Sequence, residues 1–234
     1  MDRCLVGQAR GVRPVERQQT ALVAVAEGAG LERILSSLGA IVVPGGPGND
    51  PSMGDLLRAA ESAPAEAVVI LPDHESILPA AEEAAAESDR DVRVIRAVSV
   101  PQGIAAAAAF HPSHGPDANV EALVEAAEAC SWGEVAIAVR DGDTPAGPVQ
   151  EGHAVGIVAG RVAAVGADPA AVVEEVVDRL RQTRHEILTV FTGADVTEEA
   201  SAAVESRLRR SYPDMEIEFH RGGQPHPRYL IGLE

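Results

Sequence analysis

The sequence predicts an α/β protein in two lobes. The first lobe is a mostly parallel sheet flanked by helices, and the second is a mixed α/β sandwich. Three observations carry this. Short runs of small apolar residues alternate with helical periods from Ala21 to Phe110. A stretch rich in Pro, Gly and His, HPSHGPDAN (111–119), then interrupts the alternation. Beyond it the order changes and strands follow one another across tight turns. The expected division is an irregular lead-in over 1–20, a Rossmann-like lobe over 21–112, and a mixed lobe over 113–234.

Each element has a local reason. ALVAVA (21–26) is a continuous apolar run, as expected of a strand buried on both faces. LERILSSLG (31–39) puts Leu31, Ile34, Leu35 and Leu38 on one helical face and ends at Gly39. AIVVPGG (40–46) reads as a strand entering a glycine loop. PSMGDLLRAAES (51–62) starts a helix with a Ser52/Asp55 capping box. EAVVILP (66–72) and DVRVI (91–95) read as strands, with helices over 76–88 and 101–110. In the second half, helices are expected over 119–130, over 167–183 with Asp168 and Pro169 at its start, and over 197–212. Strands are expected over 134–143, over 153–166 as a pair joined by Ala-Gly-Arg, and over 186–193, 215–220 and 228–234. Residues 1–19 carry no periodicity and read as the tail of something upstream.

Composition excludes several functions. The chain has 234 residues, 36 acidic and 19 basic, for a net charge of −17, and every basic residue is Arg. Without Lys there is no Schiff-base chemistry, no Walker A lysine and no kinase ATP lysine. The charge opposes nucleic acid and anionic membranes. No apolar run reaches the length of a membrane span, and the polar start is not a signal peptide. Cys4 and Cys130 do not form a disulfide framework, so a cytoplasmic location is expected.

Candidate site residues fall in three loops. PGGPGNDPSMGD (44–55) leaves a buried strand and enters a helix N-terminus. There Gly45, Gly46, Asn49, Asp50 and Ser52 either contact a ligand or partner, or simply form a capped turn. Arg140 and Asp141 end a strand and either orient an anionic group or pair with each other. RGGQPHPRY (221–229) offers Gly222, Gly223, Gln224 and His226 in a loop kept out of strand pairing by two prolines. The pairs His111/His114 and His220/His226 lack the further ligands a metal needs. There is no GxSxG elbow, and most carboxylates sit on helical faces.

Several ordered segments carry a family resemblance: ALVAVAEGAGL (21–31), GGPGNDPSMGDLL (45–57), VVILPDHESILPAAEEAA (68–85), VPQGIAAAAAF (100–110), AVRDGDT (138–144), FTGADVTEEA (191–200) and YPDMEIEFHRGGQPHPRYLIGLE (212–234). Together they resemble the C-terminal region of the A-type component of fatty acid kinase, a DAK2-domain, dihydroxyacetone-kinase-like family. This region is itself similar to the DegV-like acyl carriers. The resemblance implies a two-lobed DegV-like architecture and a non-catalytic docking or regulatory module that receives an acyl-loaded DegV-like carrier. It implies that ATP and magnesium belong to an N-terminal domain with no counterpart here, so this chain carries no cofactor and phosphorylates nothing alone. It also leaves open a fatty acid or small anion held between the lobes, and a homodimer. In the carriers a hydroxyl-bearing motif precedes a Pro-Ser pair and holds the fatty carboxylate. Here Asn49 and Asp50 precede Pro51 and Ser52. Asp50 would set like charge against a carboxylate, which favours docking over lipid holding.

Overall fold

A computed structural model describes residues 18–234. The expected lead-in therefore lies outside the described residues, as does Cys4, except that Gln18–Thr20 already belong to the first strand. β1 (Gln18–Ala26), α1 (Ala29–Ser37), β2 (Ala40–Pro44), α2 (Met53–Ser62), β3 (Ala65–Leu71), α3 (Leu78–Glu87) and β4 (Asp91–Val94) alternate as the sequence predicts. All four strands are parallel, in the order β2-β1-β3-β4. The chain runs outward from β1 on one side and then crosses to β3. The carboxyl ends of β1 and β3 thus flank the point where strand order reverses, the usual ligand position in such sheets.

β1 shows why its run is apolar throughout. Ala21, Val23 and Val25 pack with Leu56 and Ala60 of α2 and with Ala81 and Ala84 of α3. Leu22, Ala24 and Ala26 pack on the opposite face with Leu31 and Leu35 of α1 and with Ala106 and Ala107 of α4 (Val100–Ala108). Leu123 and Ala127 of α5 (Pro116–Ala129) join this second cluster. With aromatics at only 3%, close packing depends on many Ala and Val side chains meeting backbone.

α5 corrects the expected boundary. It begins at Pro116, with Gly115 as its N-cap, and packs on α4, β1 and β3. Gln19 and Thr20 donate their backbone N–H groups to Pro112 O at 2.9 and 3.4 Å. The Pro/Gly/His-rich stretch is thus bound to the first lobe, which runs through α5. The chain crosses to the second sheet only at Ser131.

That sheet is mixed and six-stranded, in the order β11-β10-β12-β5-β8-β9. Its strands are β5 (Ser131–Ile137), β8 (Ala154–Val158), β9 (Arg161–Gly166), β10 (Ile187–Thr192), β11 (Glu216–Arg221) and β12 (Tyr229–Leu233). The single strand expected over 134–143 stops at Ile137, and a separate hairpin follows, β6 (Gly142–Thr144) with β7 (Gly147–Val149). β8 and β9 join through Ala159 and Gly160, both at positive φ (47° and 75°), the backbone of a type I′ turn. α6 (Pro169–Leu180) and α7 (Glu198–Ser211) cover one face, burying Val173, Val176, Val177 and Leu208. Phe191 and Leu230 join the α1/α4/α5 cluster from the other face, so the lobes share a core. Among the described residues, no helix is long and apolar enough to cross a membrane.

Candidate functional site

The lobes meet first through backbone. Gly222 O accepts hydrogen bonds from the N–H groups of Gly30 (2.8 Å) and Leu31 (3.1 Å), so a second-lobe carbonyl satisfies the N-terminus of α1. No side chain fits this junction. A Cβ on Gly30 would lie 1.7 Å from Arg221 O, and one on Gly28 would lie 2.6 Å from Gln224 N. Gly222 and Gly223 in turn donate to Thr192 O, both at 3.0 Å. Glycines 28 and 30, which in the sequence mark only the break after a strand, are what lets the lobes approach.

Beside this junction lies a cleft of about 420 Å³. The first lobe walls it with residues that follow the carboxyl ends of its strands: Glu27 after β1, Gly45 and Gly46 after β2, Asp73 after β3. Trp132 and Glu134 close it from β5. They share one face of that strand because Gly133 and Val135 alternate with them toward α6, where a Cβ on Gly133 would lie 2.7 Å from Val176. The Ala159-Gly160 turn, Gln224, His226 and Leu230 complete the wall.

The expected site residues divide between this cleft and structural duties. Gly45, Gly46, Gln224 and His226 line it. Gly222 and Gly223 hold the junction. Asn49 closes the glycine loop, its N–H donating to Gly46 O at 2.8 Å. Ser52 caps α2, its Oγ accepting from Asp55 N (3.2 Å) while the Asp55 carboxylate accepts from Ser52 N (2.9 Å). The chain's own carboxylate therefore fills the anion position at that helix end, and the Ser52 bonds hold Asp55 below the usual carboxylate range. Asp50 accepts from Ser76 Oγ at 2.9 Å, and Ser76 Oγ lies 2.7 Å from His74 Nδ1. Serine stands in the middle of this chain, so it lacks the order of a nucleophile activated by a base that a carboxylate orients. Arg140 and Asp141 do not join the cleft. They are exposed beyond β5, and Asp141 accepts from Glu151 N at 2.8 Å within the β6–β7 region. His111 and His114 stack on each other with centroids 4.5 Å apart, and no group of three metal-ligating side chains occurs among the described residues.

The residues that sequence reasoning misses give the cleft its character. Glu27, Asp73, Glu75 and Glu134 all line it, and no Arg does so among the described residues. Asp73 is only 2% exposed, at φ 59°, with both carboxyl oxygens lacking any hydrogen-bond partner. Its carboxyl occupies the space where Gly103 of α4 has no side chain, 1.8 Å from an ideal Cβ there. Burial alone pushes its pKa well above the ordinary value. Burial also raises Glu134. An ionised carboxylate entering this cleft would meet like charge on both sides and no guanidinium. The one available signal is acid-rich sequence after buried strands, EG at 27–28 and PDHE at 72–75.

A parallel sheet with its cleft at the strand ends, joined to a mixed sheet that closes it, defines the class of protein. Residues 21–234 match the family model for the C-terminal region of FakA-like proteins, the A-type component of fatty acid kinase, and the chain belongs to that family. It is 32% identical over 222 residues to Protein YloV of Bacillus subtilis, covering 94% of this chain but only 40% of that protein. The chain thus spans well under half the length of that relative. Among solved structures it is similar to a DegV family protein from Thermus thermophilus described for its fatty acid binding. That likeness has a TM-score of 0.66 at 16% identity and covers 92% of this chain and 99% of the other. It is also similar to the dihydroxyacetone kinase from C. freundii, with a TM-score of 0.60 at 15% identity over 94% of this chain and 49% of that one. The DegV-like architecture expected from the sequence is therefore the fold.

Proposed function

We propose that this chain is a non-catalytic docking and regulatory module of a fatty-acid-kinase-like protein. It receives a DegV-like carrier loaded with a fatty acid and positions it for an ATP- and magnesium-dependent kinase domain elsewhere in the family's longer chains. One observation supports this over lipid holding. The chain has the carriers' fold, but its cleft is walled by four carboxyl groups and no Arg among the described residues. A fatty carboxylate there would be opposed, not bound. Membership of the FakA-like C-terminal family fits a part that acts beside the kinase chemistry. The Asp50–Ser76–His74 chain offers no activated nucleophile for independent catalysis.

The test is binding of the purified chain to immobilised DegV-family proteins of the same source organism, each loaded with palmitate or stripped of lipid. The expected result is saturable binding that depends on the loaded state. Absence of binding to every carrier, loaded or empty, overturns the proposal. A fatty acid passing from the carrier onto this chain would favour the alternative, a lipid-binding protein.

A further inference from the structure

The unmet polar atoms of the cleft are all of one kind. Asp73 and Gln224 both wall it and both are 2% exposed. Oδ1 and Oδ2 of Asp73 and Oε1 of Gln224 have no hydrogen-bond partner. The Gln224 amide nitrogen is already committed, donating to Phe191 O at 3.3 Å and Pro227 O at 3.2 Å. What remains is a set of buried acceptors without donors, an arrangement native proteins avoid unless something else supplies the donors. Glu27 and Glu134 add counter-charge beside them. Leu31, Ile77, Val98 and Leu230 supply an apolar wall, and Trp132 an aromatic one.

We infer that the interlobe cleft binds a small organic cation, an ammonium head on an apolar body. The buried acceptors of Asp73 and Gln224 face its donors, Glu27 and Glu134 balance its charge, and Trp132 packs its body. An ammonium brings three donors and no acceptor, which complements this wall. An indole favours a cation over its face and an alkyl chain along it. A neutral alcohol would satisfy one acceptor and leave the charge unanswered. A carboxylate would add acceptors and repulsion. This inference does not depend on docking, since the carrier-binding assay contains no amine.

The sequence supplies its own reporter. Trp132 is the chain's one tryptophan, so its fluorescence reads the cleft directly. The experiment titrates the full chain at pH 7 with hexylammonium chloride, hexanol and sodium hexanoate, which share an alkyl chain and differ in head group. The expected result is a saturable fluorescence change with hexylammonium at no more than millimolar concentration. Its affinity should be at least tenfold above that of hexanol, and hexanoate should give no saturable change. Glu134→Gln and Asp73→Asn should each weaken hexylammonium at least tenfold and leave hexanol unchanged. If Asp73→Asn does not fold, Glu134→Gln decides. Hexanoate binding as tightly as hexylammonium, no saturation with hexylammonium, or wild-type affinity in Glu134→Gln would each overturn the inference.

Discussion

Replacing Asp73 by Asn should make this protein more stable at neutral pH, and the gain should depend on pH in a defined way. The buried carboxyl has no partner for either oxygen, so the native state favours its protonated form while the unfolded chain titrates near 3.8. Above 3.8 the native state therefore holds up to one proton more than the unfolded state. Stability then falls as pH rises, by about 1.4 kcal/mol per pH unit, until the raised native value is passed. Below 3.8 the contribution is fully present. Asn has the same shape, tolerates the positive φ of 59° found at this position, and does not titrate. The stability difference between the two proteins should therefore be flat in acid and grow with pH above 3.8 at that slope. For a chain of this size the slope corresponds to roughly 3–6 °C of melting temperature per pH unit. Urea unfolding of both proteins across pH 3.5–7.5 measures it, and the other raised carboxyls, Glu134 and Glu234, cancel between the two curves. Parallel curves would refute the reasoning, because they would mean that the Asp73 carboxylate has a partner or reaches water.

Three further substitutions separate junction, helix cap and surface. Gly30→Ala forces a Cβ into the Arg221 carbonyl and should lower unfolding free energy by about 3 kcal/mol, the upper range for overpacking, as read by urea denaturation. Ser52→Ala removes the α2 cap and should cost about 1 kcal/mol in the same assay, with no change in carrier binding. Arg140→Ala, exposed and away from the cleft, should leave both stability and the Trp132 fluorescence response at wild-type values.

The parts of the fold legible in sequence are those where local chemistry and tertiary packing agree. ALVAVA reads as a doubly buried strand because helices do cover both of its faces. Ser52 with Asp55, and Asp168 with Pro169, mark helix starts because those side chains satisfy N–H groups within the same turn. The helix at 116–129 belongs to the first lobe rather than the second, and its amphipathic pattern alone does not say which sheet buries Leu123. The cleft is half legible. Gly45, Gly46, Gln224 and His226 sit in loops whose glycines and prolines announce themselves. Glu27, Asp73 and Glu134 look like ordinary solvated acids until the second sheet folds over the first. Trp132 and Glu134 owe their position to strand alternation against Gly133, which only the packing of α6 reveals. Arg140 and Asp141 mislead because a charged pair at an expected strand end resembles a ligand clamp. The strand in fact stops at Ile137 and the pair extends into solvent.

The central claim is that a DegV-like fold here encloses an acid-walled cleft that does not hold a fatty acid. Native mass spectrometry of the freshly purified chain, followed by denaturing release of any bound molecule, tests it most directly. The account predicts a native mass without fatty acid and no fatty acid in the released fraction. A fatty acid released in stoichiometric amount would contradict it and make the chain a lipid carrier.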